Sequence, residues 1–328
     1  MKTHQVQQKT ERRISAALRL VFVAALLLGQ IALAFFLSTE LRQRAAIIYT
    51  VLELAAFGYA VRIYNRTDGT SYKFGWIFLV LTVPVVGLIL YFLWNGDRQQ
   101  KRLDLKKLPM PEEPEAQQAA HRIQMEKLRR KFPQWERLSV YLSRQGYLLY
   151  GDTETKYLPT GEAFLQDMLE KLEQAEHFIF LEFFIIAQGQ IWDRMEEIFR
   201  RKAAEGVEVK ILFDDFGSMM RFPAGQIEAL RESGVEVQIF NPVHHYVNRL
   251  YFNYRDHRKI VCIDGSTAYT GGANVADEYA NLTVRFDYWK DCGIRLDGPG
   301  AWGLTREFLH MWQRNGGQLM QERDYYRP

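Results

Sequence analysis

Residues 256–279 read DHRKIVCIDGSTAYTGGANVADEY and hold His257, Lys259 and Asp264 in an H-x-K-x4-D spacing, followed by Gly271, Gly272 and Asn274. Side chains of an extended chain alternate between faces, so His257 and Lys259 project together and an imidazole lies beside an ammonium. Those groups suit phosphoryl transfer. His257 would attack phosphorus, Lys259 would neutralise the non-bridging oxygens, and the Asn274 amide would donate a further hydrogen bond. Adjacent glycines let backbone N–H groups, that of Gly272 included, approach an anion closely. A carboxylate from Asp264, or from the Asp277–Glu278 pair, would orient the imidazole and stabilise its charged form. Such chemistry needs two proton-handling groups, one to attack and one to protonate the leaving alcohol. Of the other histidines, His4, His121, His177, His244, His245 and His310, none has a lysine two residues on.

The elements around this stretch alternate. Ile260, Val261 and Ile263 with Cys262 read as a buried strand running into an Asp-Gly turn, and Tyr269–Thr270 as a second strand. Upstream, residues 162–175 read as helix, Phe178–Ile186 as a buried strand, Trp192–Ala204 as an amphipathic helix and Val207–Phe213 as a strand ending at Asp214–Asp215. Residues 223–233 follow as helix, 235–240 as strand and 301–314 as a late helix. This order predicts an α/β layer with a mostly parallel or mixed sheet. Glu182 interrupts an apolar strand and so requires a basic or hydrogen-bonding partner, with a supporting role towards the site left open. Asp214–Asp215 marks a strand end and helix entry, with a catalytic role as the alternative. His244–His245 belongs to a solvated loop whose tyrosines and arginines are alternatives for lining a headgroup pocket.

The first hundred residues are a different material. Apolar stretches at 14–37, 45–63 and 74–95 each approach the roughly 20 residues that cross a bilayer core. Gln30 interrupts the first; Glu53 falls inside the second and should face another helix or be protonated. Three spans is the reading, with a two-span hairpin and a peripheral first helix as the alternative, and a cleaved signal peptide as the other account of the first stretch. For three spans the flanking lysines and arginines divide evenly between the two sides, so charge does not orient the chain. The cluster Arg98, Lys101, Arg102, Lys106 and Lys107 suggests a domain held against anionic lipid. Residues 1–98 are thus a membrane region, 99–140 a charged connector with an exposed helix, and 141–328 the catalytic part. A net charge of +3 in 328 residues gives little support to nucleic acid as partner. Cys262 and Cys292 have no metal-type spacing and read as free buried thiols.

The H-x-K-x4-D motif followed by G-G-x-N resembles the signature of the phospholipase D superfamily, and within it the bacterial cardiolipin synthases. LEFFII, VEVKILFDDFGS, YWKDCGIRLDGPGAW and FLHMW are similar to the corresponding cardiolipin synthase segments, as is the membrane region RIYNRTDGTSYKFGWIFLVLTVPVVGLILYFLWNG. The resemblance covers nearly the whole chain from about residue 45. It implies one half of an α/β/α sandwich with a mixed sheet, preceded by transmembrane helices in the bacterial cell membrane, with the catalytic domain on the cytoplasmic face. It also implies transfer of a phosphatidyl group between two phosphatidylglycerol molecules, with His257 as nucleophile, Lys259, Gly272 and Asn274 at the phosphate, Asp264 as supporting carboxylate, and no metal or organic cofactor. The family carries two such motifs and this sequence contains one. The second histidine is therefore expected from a homodimer or from further sequence. The alternatives are a one-motif hydrolase or nuclease working as a homodimer, and an inactive fragment that binds anionic lipid.

Overall fold

The computed structural model describes residues 42–66, 69–94, 112–242, 255–285, 287–319 and 325–327, with isolated positions between 24 and 35. These residues fall into two compact units, an N-terminal helical one and the α/β unit that carries the H-x-K-x4-D segment.

In the N-terminal unit, α1 (Arg42–Tyr64) contains the one described stretch, Ile47–Tyr64, long and apolar enough to cross a membrane. Ala56, Ala60 and Ile63, spaced for one helix face, are buried, whereas Leu54, Phe57 and Val61 are exposed. Glu53 is exposed as well among the described residues, while the first apolar stretch, one helix it could face, lies largely outside them. The stretch 74–95 is not one helix. It divides into α2 (Thr70–Thr82) and α3 (Pro84–Trp94) at Val83, whose φ of −133° and ψ of 71° leave the helical region. Pro84 lacks an N–H and disfavours helical backbone at the residue before it, so α2 stops there and α3 starts with proline in its first turn. The chain then doubles back: the rings of Trp76 and Tyr91, fifteen residues apart, lie 5.5 Å apart in an edge-to-face contact. Gly87 permits this, because a Cβ there would sit 2.5 Å from the Leu79 carbonyl oxygen and 2.7 Å from the Val80 Cα. The expected span at 14–37 lies outside the described residues, apart from those isolated positions.

The second unit is built on a seven-stranded sheet in the order β1-β7-β6-β5-β2-β3-β4, with β1 at Glu154–Leu158, β2 at Phe178–Phe183, β3 at Glu208–Asp214, β4 at Glu236–Phe240, β5 at Ile260–Ile263, β6 at Thr267–Gly271 and β7 at Gly293–Asp297. The strands β2, β3 and β4 are parallel, as their helical crossovers require, and every other pairing is antiparallel, so the predicted mixed sheet is present. Ile179, Leu181 and Phe183 of β2 and Val261 and Ile263 of β5 pack with Phe164, Met168, Trp192 and Phe199 of the crossover helices on one face. The other face meets the late helix Ala301–Arg314, where Phe180 stacks on Phe308 at 4.8 Å. Burying side chains of this size contributes about 1.5–3 kcal/mol each.

The helix expected to be a free connector, Glu115–Lys131, is anchored on this unit. Gln117 Nε2 donates to the Tyr326 hydroxyl at 2.7 Å, and Leu149 N–H donates to His121 Nδ1 at 2.9 Å. Just before it, Glu113 forms a buried ion pair with Arg306 and accepts from Trp302 Nε1 at 2.9 Å and from the Tyr150 hydroxyl at 2.5 Å. Glu113→Ala takes the carboxylate from a guanidinium that is 4% exposed, so the unit should lose about 3–5 kcal/mol in urea unfolding followed by tryptophan fluorescence. Of the two free thiols, Cys262 is buried as expected, but Cys292 is exposed just before β7.

Candidate active site

β5 lies at the middle of the sheet, between β2 and β6, and residues 255–259 lead into it as extended chain. The period-two expectation for His257 and Lys259 holds, because both face the Phe184 ring. The imidazole centroid lies 4.7 Å from that ring and the Lys259 Nζ 5.5 Å. Lys259 is buried and donates to the His257 carbonyl at 2.7 Å, which fixes its ammonium beside the imidazole's backbone. Burial pulls the ammonium down to about 8, against the opposing pull of Asp256 and Asp291. His257 is exposed, and its imidazole is held below the ordinary histidine value by desolvation and by the Lys259 charge, with Asp256 opposing. The neutral imidazole, the form that can attack phosphorus, is thereby favoured near neutral pH.

The carboxylates sort differently from the sequence expectation. Asp264 closes β5 at the end opposite His257, where Oδ1 accepts from the N–H groups of His177 (2.7 Å) and Phe178 (2.8 Å) and Oδ2 from that of Glu176 (2.8 Å). Its supporting role towards His257 is therefore replaced by a scaffold role: it ties the β5 turn to the start of β2. Asp277 accepts from Gln190 N–H and Ile191 N–H, both at 3.0 Å, and so caps the helix Gln190–Ala204. Glu278 is bidentate to Arg221 at 2.6 and 2.7 Å and meets Arg285 at 3.1 Å. Burial would raise its pKa, but those arginines and its own backbone N–H leave it below the usual carboxylate range. Glu182 finds the basic partner its burial demands: Oε1 lies 2.5 Å from an Arg258 Nη, in ionic contact but out of line for a hydrogen bond. Desolvation and Asp256 push its carboxyl well above the ordinary value, with Arg258 pulling back. Glu182 sits on the face of the sheet opposite that of His257, alternating with Leu181 and Phe183.

The polar groups after β6 are also used internally. Asn274 is buried; its Oδ1 accepts from Ile185 N–H at 3.0 Å and its Nδ2 donates to the Tyr279 hydroxyl at 2.8 Å, so it joins the 272–276 segment to the end of β2. Gly272 N–H donates to the Cys292 carbonyl at 3.1 Å and is not available to an anion as expected. The glycine is needed for another reason: a Cβ at Gly272 would come within 2.3 Å of Asp291 Oδ1.

Asp291 is the residue sequence reasoning missed. Its carboxylate lies over Gly272, accepts from Cys292 N–H at 2.8 Å, and acts electrostatically on Lys259. An acidic residue just ahead of a strand was the available signal, but only the pairing of β7 with β6 brings it to the site. Asp214, left open in the sequence, is fully buried; its Oδ1 accepts from Phe216 N–H (2.8 Å) and Arg255 Nη1 (3.1 Å), and its Oδ2 from Asp256 N–H (2.9 Å). It thereby fastens the residues that lead to His257 onto the end of β3. Among the other described histidines, His177 precedes β2 at its far end, His121 is bonded to Leu149 and His310 lies on the late helix. His4, His244 and His245 lie outside the described residues. Gly272→Ala would move the Asp291 carboxylate, the flexible partner, and leave the sheet intact. Turnover is expected to fall about 10–100-fold with little change in unfolding midpoint.

Residues 168–312 match the family described as cardiolipin synthase, PLD-like domain, and residues 54–95 match the phospholipase D-nuclease N-terminal family. The chain is 31% identical over 273 residues to cardiolipin synthase 2 of Bacillus anthracis, covering 83% of this chain and 53% of that protein. It is 36% identical over 259 residues to an uncharacterized protein of Streptococcus mutans, covering 78% and 55%. A phospholipase D family member, Nuc from Salmonella typhimurium, superposes with a TM-score of 0.37 at 17% identity, over 50% of this chain and 95% of that one. By the family match over residues 168–312, the α/β unit is a phospholipase D-like domain. Within that superfamily, residues 168–312 match the cardiolipin synthase domain, and the chain is similar over most of its length to proteins of that name. It spans about half the length of the curated relatives it matches.

Proposed function

We propose that this chain supplies one histidine half-site of a membrane-bound phosphatidyltransferase that makes cardiolipin from two molecules of phosphatidylglycerol. The observation that carries the reading is the exposed imidazole of His257 and the buried ammonium of Lys259 set together against the Phe184 ring. In the first step a ring nitrogen of His257 attacks the phosphorus of phosphatidylglycerol. The N–P bond forms, the bond from phosphorus to the glycerol oxygen breaks, and glycerol leaves after taking a proton from a second acid. In the second step the free glycerol hydroxyl of another phosphatidylglycerol gives its proton to that group and attacks the phosphatidyl-histidine, which releases His257 and yields cardiolipin. Lys259 faces the anionic phosphate throughout, and the charges of Asp256 and Asp291 favour its ammonium form. The second proton-handling group comes from a second histidine motif, supplied by another copy of the chain or by a further half-domain.

The apolar stretch Ile47–Tyr64 supports placing the site at a membrane; we assign the α/β unit to the cytoplasmic face. Incubating the purified chain with vesicles of labelled phosphatidylglycerol should give labelled cardiolipin and free glycerol. A specific activity that rises with dilute protein concentration assigns the second histidine to another copy. No product at any protein concentration assigns it to a further half-domain. Cardiolipin formed at equal rates by the parent and by His257→Ala would overturn the reading.

A further inference from the structure

We propose that α2 and α3 form a re-entrant hairpin, which enters the bilayer and returns to the side it came from, so that the apolar stretch 74–95 does not cross. The inference rests on the membrane reading of the N-terminal unit and is independent of the chemistry at His257. The thirteen residues of α2 and the eleven of α3 extend about 20 and 16 Å, well short of the ~30 Å hydrocarbon core. Because the two arms are antiparallel and touch along Gly87–Val80 and Tyr91–Trp76, their lengths do not add.

The two ends of the hairpin differ in the way a bilayer requires. The turn, Thr82-Val83-Pro84-Val85-Val86, carries no charge, and several of its polar groups find partners inside the protein. The Thr82 hydroxyl donates to the Phe78 carbonyl, and Val86 N–H, an orphan donor in the first turn of α3, donates to Gln30 Oε1 at 3.0 Å. This gives the polar residue interrupting the first apolar stretch a partner where hydrocarbon offers none. The open end collects the charges. Lys73 Nζ donates to the carbonyls of Tyr64 and Arg66 at the end of α1, both at 3.1 Å, and Arg66 donates to the Tyr91 hydroxyl at 3.4 Å. Between the ends, Phe74 (62% exposed), Phe78 (70%) and Leu81 (47%) cover the outer side of α2 with apolar surface fit for acyl chains.

This topology removes the even division of charge found for three crossings. With α1 crossing and the hairpin returning, Arg62, Arg66, Lys73, Arg98, Lys101, Arg102, Lys106 and Lys107 share one side, opposite Arg42 and Arg44. If the first stretch also crosses, Lys2, Lys9, Arg12 and Arg13 join the basic side. The positive-inside rule then assigns that side to the cytoplasm.

The test uses the full chain in bacterial membranes, with Cys262 and Cys292 replaced by alanine and single cysteines introduced as Ser71→Cys, Thr82→Cys and Gln99→Cys. A membrane-impermeant maleimide should label positions 71 and 99 in inverted vesicles and not in intact cells, and position 82 in neither until detergent is added. Labelling of 71 and 99 from opposite faces would overturn the hairpin. Fusions of a reporter active only in the cytoplasm, made after residues 68 and 108, should both be active; opposite signals would overturn it without depending on any cysteine variant. Release of the parent chain by alkaline carbonate would overturn the membrane reading itself.

Discussion

Replacing His257 by alanine is expected to lower phosphatidyl transfer by about 10⁴-fold or more, because on the proposed mechanism it removes the group to which the phosphatidyl moiety would become attached. The same change should abolish label retained on denatured protein after a brief pulse of phosphatidylglycerol carrying ³²P, which in the parent chain should be acid-labile and alkali-stable, as a phosphohistidine is. The loss will be chemical and not a failure to fold. His257 is exposed, and its ring contact is with Phe184, so the unfolding free energy should stay within about 0.5 kcal/mol of the parent. A variant that still traps label at the parent's level would place the attacking group elsewhere.

The second large effect concerns Lys259. Lys259→Met keeps the length of the side chain and its packing on Phe184 but removes the charge that faces the phosphate, and should cost about 10²–10³-fold in kcat/KM. The pH profile should identify the group. The profile of kcat/KM should fall on the acid side as His257 gains a proton, at a pH below the ordinary histidine value. It should fall on the alkaline side as Lys259 loses its proton, near pH 8. A bound phosphate favours the charged ammonium, so the alkaline limb of kcat should lie at higher pH than that of kcat/KM. Lys259→Arg, which keeps its charge across this range, should lose the alkaline limb even where its activity is low. An alkaline limb unchanged in Lys259→Arg would assign it to another group.

Much of the α/β unit was legible in advance because its elements obey simple periods. Phe178–Phe183 and Glu208–Asp214 are short, mainly apolar and β-prone segments bounded by turns, and the helix Ala301–Arg314 has the predicted bounds. The common face of His257 and Lys259 followed from alternation alone. The carboxylates did not follow, although one of them carried a readable warning. Seven extended residues separate Asp264 from His257 by about 23 Å, so the two could not meet within one strand. Asp291, by contrast, had only the weak signal of an acidic residue ahead of a strand, since its place depends on β7 finding β6, and non-local pairing is not written in the spacing of either strand.

The N-terminal unit shows the same division. Composition marked 74–95 as apolar enough to cross, and Pro84 and Gly87 were visible inside it, but proline permits a kink as readily as a full reversal. The choice lay in whether Trp76 could meet Tyr91 and whether Gly87 could lie against the Val80 backbone, contacts between residues that the linear order keeps apart. Residue chemistry and local period thus determined which groups can act on a phosphate and which stretches can enter a membrane. Long-range packing decided that Asp291 adds its charge to the field at Lys259 and which way the chain turns, because those outcomes are set by contacts whose energy depends on distance in space and not on position along the chain.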